Sequence, residues 1–265
     1  MPRKSKRLLP RHRKFRRGAR WAGKTFARAP RMVRIAGGVA MLLAVVVLVN
    51  IAYQTMRKPT ELFVLVGNAL DKDPSETWRQ YGPLFRKHST ATITPELLAA
   101  LAQVESSGNP LVRTYWRWRW SFNPLAIYRP ASSAVGLFQM TDPAYADAAR
   151  FCIRGNAVTE TACGFTSFYV RAIPSHAIEL ASVYLDRNVA EILARAGDVK
   201  ASTRARQDLA AFIHLCGAGP ATAYARRKFQ LIADERCGDH LVAGYIAKVN
   251  AMKRQFLRLA VDDGG

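Results

Sequence analysis

A lone glutamate stands where an apolar side chain is expected. In "TPELLAALAQVESSGNP", Leu97, Leu101 and Glu105 are spaced four apart and share one stripe of a helix. A charge on such a stripe is expensive without a partner. Glu105 also falls in the last turn, where the helix dipole presents partial negative charge. Both effects disfavour the carboxylate and predict a raised pKa. A glutamic acid that keeps its proton near neutrality is what a general acid requires. A surface glutamate in a frayed final turn fits the same spacing, so position alone leaves both readings open. The second chemistry-bearing stretch is "TYWRWRWSF", Thr114 to Phe122, with five aromatics and two arginines in nine residues. Aromatic faces stack on pyranose rings and arginines pair with carboxylates. The same composition suits a membrane surface, nucleic acid or a structural hairpin.

The elements that position these residues are mostly helical. Thr94 is the expected N-cap of the glutamate helix, with Pro95 at its first position and Gly108-Asn109-Pro110 beyond its end. "SETWRQYGPLFRKHS" predicts a short helix broken or bent at Gly82-Pro83. "MTDPAYADAA" makes Asp142 an N-cap. "SHAIELASVYLDRNVAEILARAG" predicts a long helix stopping near Gly197. "RQDLAAFIHLCGAG" and "DHLVAGYIAKVNAMKRQFLRLA" complete the set, the last with Asp239 as cap. Strand signals are scarce; the alternation of Trp116, Trp118 and Trp120 with Arg117 and Arg119 predicts a small ribbon. The class is mainly α, with one globular domain.

Charge and hydropathy divide the chain. Residues 1–34 hold 14 of the 40 Lys and Arg and no acid, leaving 26 basic against 19 acidic residues in the rest. "IAGGVAMLLAVVVLVNIAY", Ile35 to Tyr53, has nineteen residues and no charge. At ~1.5 Å per residue it reaches roughly 28 Å, enough for a bilayer core of about 30 Å. No A-x-A-like cleavage site follows it, which favours an uncleaved anchor over a signal peptide. The positive-inside bias then keeps the tail cytoplasmic and exports everything after Tyr53. The expected organisation is a basic cytoplasmic tail (1–34), a transmembrane anchor (35–53), a stalk or lead-in (54–75) and a globular domain (76–262). The expected localisation is the inner (cytoplasmic) membrane, single-pass, with the globular domain periplasmic or otherwise extracytoplasmic. Four cysteines fit an oxidising compartment. Neither spacing suggests zinc, and two sequence-local bridges, Cys152 with Cys163 and Cys216 with Cys237, are the simplest of three pairings.

"AQVESSGNP" followed by "SSAVGLFQMTDPAYADA" resembles the signature of lytic transglycosylases with the soluble-lytic-transglycosylase (SLT, goose-lysozyme-like) catalytic domain. The elements that carry the resemblance are Glu105-Ser106, Gly136-Leu137-Phe138-Gln139-Met140-Thr141, Gly217-Ala218-Gly219-Pro220 and Tyr245-Ile246, in that order. The resemblance implies a lysozyme-like fold with a small β ribbon, and Glu105 as the single catalytic acid and base. The bond cut would join N-acetylmuramic acid to N-acetylglucosamine, leaving 1,6-anhydro ends. It also implies Ser106, Gly136, Gln139 and Met140 in the sugar cleft. The third element departs from the family's usual Ala-Tyr-Asn-Ala-Gly, so His214 and Tyr245 become candidates for polar contact with Glu105; either could equally be core. Glu105 and Gly136 stand 31 positions apart, more than the family usually has, and the insertion carries Trp116 and Trp118 as a candidate glycan-binding wall. Peptidoglycan strands are the expected partner; no nucleic acid, metal or organic cofactor is implied. A non-cleaving wall-binding protein, a lysozyme-like hydrolase and a membrane-tethered nucleic-acid binder are the rival readings.

Overall fold

The structure, a computed structural model, describes residues 29–58, 60–61, 67–112, 114–161, 163–164, 166–197 and 200–264. Most of the basic tail lies outside the described residues, as does the middle of the lead-in. The chain separates into two compact units. Among the described residues, one holds those up to Met56 with Arg117–Arg129, the other those of Arg57–Trp116 with Pro130–Gly265.

In the first unit, α1 (Arg31–Arg57) is a single helix long and apolar enough to cross a membrane. It continues past the expected end at Tyr53 because nothing in the sequence interrupts it before Pro59, whose ring disfavours helix at the preceding residue. Its apolar side chains are largely exposed, and Asn50 is its buried residue. The chain enters and leaves the Arg117–Arg129 segment through the predicted ribbon, which forms from β1 (Trp116–Trp118) and β2 (Tyr128–Pro130). At its tip, Asn123 caps the short 3-10 turn Pro124–Ala126 by accepting from Leu125 N. Asn50 Nδ2 donates to Pro124 O (3.0 Å) and Gln54 Nε2 to Leu125 O (2.5 Å), fastening tip to helix.

In the second unit, α2 (Pro74–Lys87) starts on Asp73, whose carboxylate accepts from Glu76 N. It does not break at Gly82-Pro83. Trp78, Tyr81 and Phe85 are buried along one face, and this packing holds the helix through the donor that Pro83 lacks. The glutamate helix, α3 (Pro95–Ser106), has the expected Thr94 cap and Pro95 start. Every residue from Leu97 to Ala102 is at most 1% exposed, so the helix is apolar all round and central. It packs along α8 (Val242–Gly264) and against α2 and α5 (Pro174–Arg195). Ser107 and Gly108 end it in the left-handed region; a Cβ on Gly108 would lie 2.2 Å from Thr77 Oγ1.

The remaining helices are α4 (Asp142–Ala148), α6 (Thr203–Cys216) and α7 (Ala218–Arg226). Two assigned caps differ from expectation. Thr141 precedes α4, and Asp142 is its first residue, its carboxylate held by Arg171 at 2.5 Å. Asp239 caps nothing, because a two-residue hairpin, β5 (Arg236–Cys237) with β6 (His240–Leu241), intervenes and α8 begins at Val242. A third hairpin pairs β3 (Cys152–Arg154) with β4 (Ala157–Thr159). Both sequence-local disulfides form, Cys152–Cys163 and Cys216–Cys237. The first closes the chain around the β3–β4 hairpin, and the second ties the end of α6 to β5. A buried glutamate on α5, Glu179, takes hydrogen bonds from Ile153 N (2.9 Å) and Tyr169 Oη (2.8 Å) and lies 3.5 Å from His88 Nδ1.

Candidate active site

Glu105 occupies the next-to-last position of α3, where the buried helix reaches the edge of the core. Its side chain is 20% exposed. It faces a cavity of about 520 Å³ lined by Glu105, Leu215, Arg236, Asp239, His240, Tyr245 and Lys248, among others. Tyr245, on α8, donates its hydroxyl to Glu105 Oε1 at 2.5 Å. His214, on α6, places Nε2 at 3.5 Å from the same oxygen. Both contacts converge on Oε1, and among the described residues no hydrogen bond is made to Oε2. His214 also lines a smaller cavity of about 160 Å³, with Gln139, Met140 and Gly217, and Leu215 borders both spaces.

The electrostatics correct the expected direction. Burial pushes the Glu105 pKa up, as the sequence predicts. The charge of His214, hydrogen bonds from His214 and Tyr245 and the charge of His240 act the other way and outweigh it. The carboxyl therefore titrates below its ordinary value. Burial and the adjacent carboxylate push the Tyr245 hydroxyl well above the usual phenol range, so it stays a donor.

The other expected site residues divide by what holds them. Gln139 has φ +44°, and its amide folds back to donate to Gly136 O at 2.9 Å while the residue lines the smaller cavity. Met140 lines it too, and its backbone bridges Val135. Gly136 (φ +81°) does make room for a close approach, but by the chain itself: a Cβ there would sit 1.9 Å from Arg171 O. Ser106 is buried, with its hydroxyl 2.8 Å from Leu137 O and 2.9 Å from Ala102 O, so it fastens the end of α3 to the Gly136–Thr141 turn. Leu137 and Phe138 pack into the core. Trp116 is half-buried and donates its indole N–H to Glu61, whereas Trp118 packs at a tilt against Tyr128 within the ribbon. Among the described residues, no cluster of His, Cys, Asp and Glu is arranged to hold a metal ion.

The sequence reading missed Arg236, Asp239, His240 and Lys248. The available signal was the Cys216–Cys237 pairing, which obliges the chain around Cys237 to lie beside the end of α6. No curated protein matches the chain. A family described as the Transglycosylase SLT domain matches residues 83–205. That stretch contains both α3 with Glu105 and the Gly136–Thr141 turn that Ser106 fastens to it. This chain carries a transglycosylase SLT domain, the catalytic domain of lytic transglycosylases.

Proposed function

We propose that this protein is a membrane-anchored lytic transglycosylase that cuts the β-1,4 bond between N-acetylmuramic acid and N-acetylglucosamine, with Glu105 as its single acid and base. One observation carries the reading: the carboxylate in the last turn of the central helix meets a cavity with Tyr245 and His214 gathered on one of its oxygens. Protonated Glu105 gives its proton to the glycosidic oxygen as the bond to the muramic acid C1 breaks, releasing the N-acetylglucosamine 4-hydroxyl. The resulting carboxylate then takes the proton of the C6 hydroxyl as O6 bonds to C1. The 1,6-anhydro ring closes, Glu105 is reprotonated, and no water is consumed.

The resting electrostatics set a condition on the first step. With the cavity open, His214 and Tyr245 favour the carboxylate. A sugar that fills the cavity excludes water, which strengthens the burial already pushing the pKa up. Proton uptake then accompanies substrate binding. Tyr245 is a positioning residue that fixes the rotamer of Glu105. Arg236 and Lys248, on the same cavity, suit the lactyl and peptide carboxylates of wall strands.

The basic flank of α1 supports a topology with the N-terminus in the cytoplasm and the catalytic unit, about residues 76–262, outside the inner membrane. Two disulfides suit that compartment. A second reading, a hydrolase, is motivated by Asp239 on the same cavity, since most glycoside hydrolases use two carboxylates. Mass analysis of sacculi digested by the detergent-solubilised full chain separates the two. Anhydro-muramic ends support the lyase, reducing ends the hydrolase. Binding without release of fragments would leave a wall-binding protein on the same fold.

A further inference from the structure

The ribbon tip carries large aromatic side chains that its own unit leaves in solvent. Trp118 is 66% exposed, and Trp120 and Phe122 are fully exposed. Arg117 and Arg119 alternate with them and are exposed as well. Between Glu105 and Asp142 the sequence contains no acid, so the two arginines of the tip have no acidic neighbour in their own stretch of chain. Its fixed points lie on α1, through Asn50 to Pro124 O and Gln54 to Leu125 O. Those two residues stand where the apolar run ends. From Arg34 at one boundary, ~1.5 Å per residue puts Asn50 about 24 Å and Gln54 about 30 Å along the helix, the far edge of a bilayer core of about 30 Å. The tip's carbonyls also satisfy two amides that hydrocarbon would leave unpaired.

We propose that the ribbon tip, residues 117–126, seats in the outer interface of the phospholipid bilayer beside α1 as a second membrane contact. Trp118, Trp120 and Phe122 lie among the headgroups and upper acyl chains, and Arg117 and Arg119 pair with lipid phosphates. This inference rests on α1 being a membrane anchor. It replaces the glycan wall as the role of Trp118, because the tip's hydrogen bonds are made to the span-length helix.

The test uses the full chain reconstituted in phosphatidylcholine–phosphatidylglycerol vesicles containing lipids brominated high on the acyl chain. Trp120→Phe should lower the lipid-quenched share of tryptophan emission and Phe122→Trp should raise it, both with an unchanged unfolding midpoint. Equal quenching in wild type and both variants overturns the inference, as does protection of Trp120 by added sacculi in place of lipid. Alkaline extraction distinguishes the failures. A chain that resists extraction but shows no quenching difference keeps its anchor and loses the second contact. A chain that extracts loses both, and neither result touches the chemistry of Glu105.

Discussion

Two glutamates in this molecule keep the same company and are placed for opposite work. Glu105 has the hydroxyl of Tyr245 and the imidazole of His214; Glu179 has the hydroxyl of Tyr169 and the imidazole of His88. The carboxylate–imidazole distance is 3.5 Å in both. Two differences separate them. Glu179 uses both oxygens, Oε1 for Ile153 N and Oε2 for Tyr169, and joins α5 to β3 and to the loop before α5. Glu105 gathers its partners on Oε1 and faces a cavity. Side-chain exposure follows, 9% for Glu179 against 20% for Glu105. Residue types alone therefore do not make a site. A carboxylate with an oxygen left for something else, beside space to hold it, does.

The largest expected effect lies on the closed side of this comparison. Glu179→Ala leaves Ile153 N, Tyr169 and His88 without their shared partner in the interior. Breaking a buried polar or charged network of this kind costs about 3–5 kcal/mol, to be read as a lowered urea midpoint. If the variant unfolds at the wild-type midpoint, the structural role assigned to Glu179 is wrong. On the open side, Tyr245→Phe removes a hydrogen bond to a charged group, worth about 1.5–3 kcal/mol when fully formed. If that bond is worth about 1.4 kcal/mol more in the transition state than at rest, turnover on sacculi drops roughly tenfold. A smaller loss with a raised KM would make Tyr245 a cleft wall.

His214→Gln acts on the pH profile more than on the maximum. The proposed reaction needs protonated Glu105, so on that mechanism the rate falls as pH rises through its pKa. His214 depresses that pKa, hence its removal should move the falling limb to higher pH. Linkage gives the matching stability sign. The depressed carboxyl stabilises the fold above its unfolded pKa, and this contribution is lost as pH falls through the folded value. In His214→Gln that acid-side loss should shrink. An unmoved limb would show that His214 carries no charge that Glu105 senses. Asp239→Asn should change turnover least, by less than about twofold if one carboxylate suffices; a loss on the scale of general acid–base catalysis, about 10²-fold or more, would favour the hydrolase.

Much of the scaffold was legible because local rules and packing agree there. Thr94, Pro95 and the Gly108 turn delimit α3 as the sequence predicts, and both disulfides pair locally. Asp239 misled because a hairpin of two residues a side leaves no periodic trace, and its residues read as helix entry. The sign of the Glu105 shift was wrong for a related reason. Helix dipole and burial are visible within α3, while Tyr245 sits 140 residues away and His214 on another helix. Glu179 went unread because a buried glutamate inside a long helix looks in sequence like any solvated one.

The central claim is that Glu105 alone supplies and recovers the proton. Fragment release from purified sacculi by Glu105→Gln, normalised to folded protein, tests it most directly. No release above background is expected, with binding to sacculi retained and a loss of stability at neutral pH no larger than about 1.5–3 kcal/mol, the worth of the Tyr245 hydrogen bond to the carboxylate. Fragments released at the wild-type rate would contradict the claim.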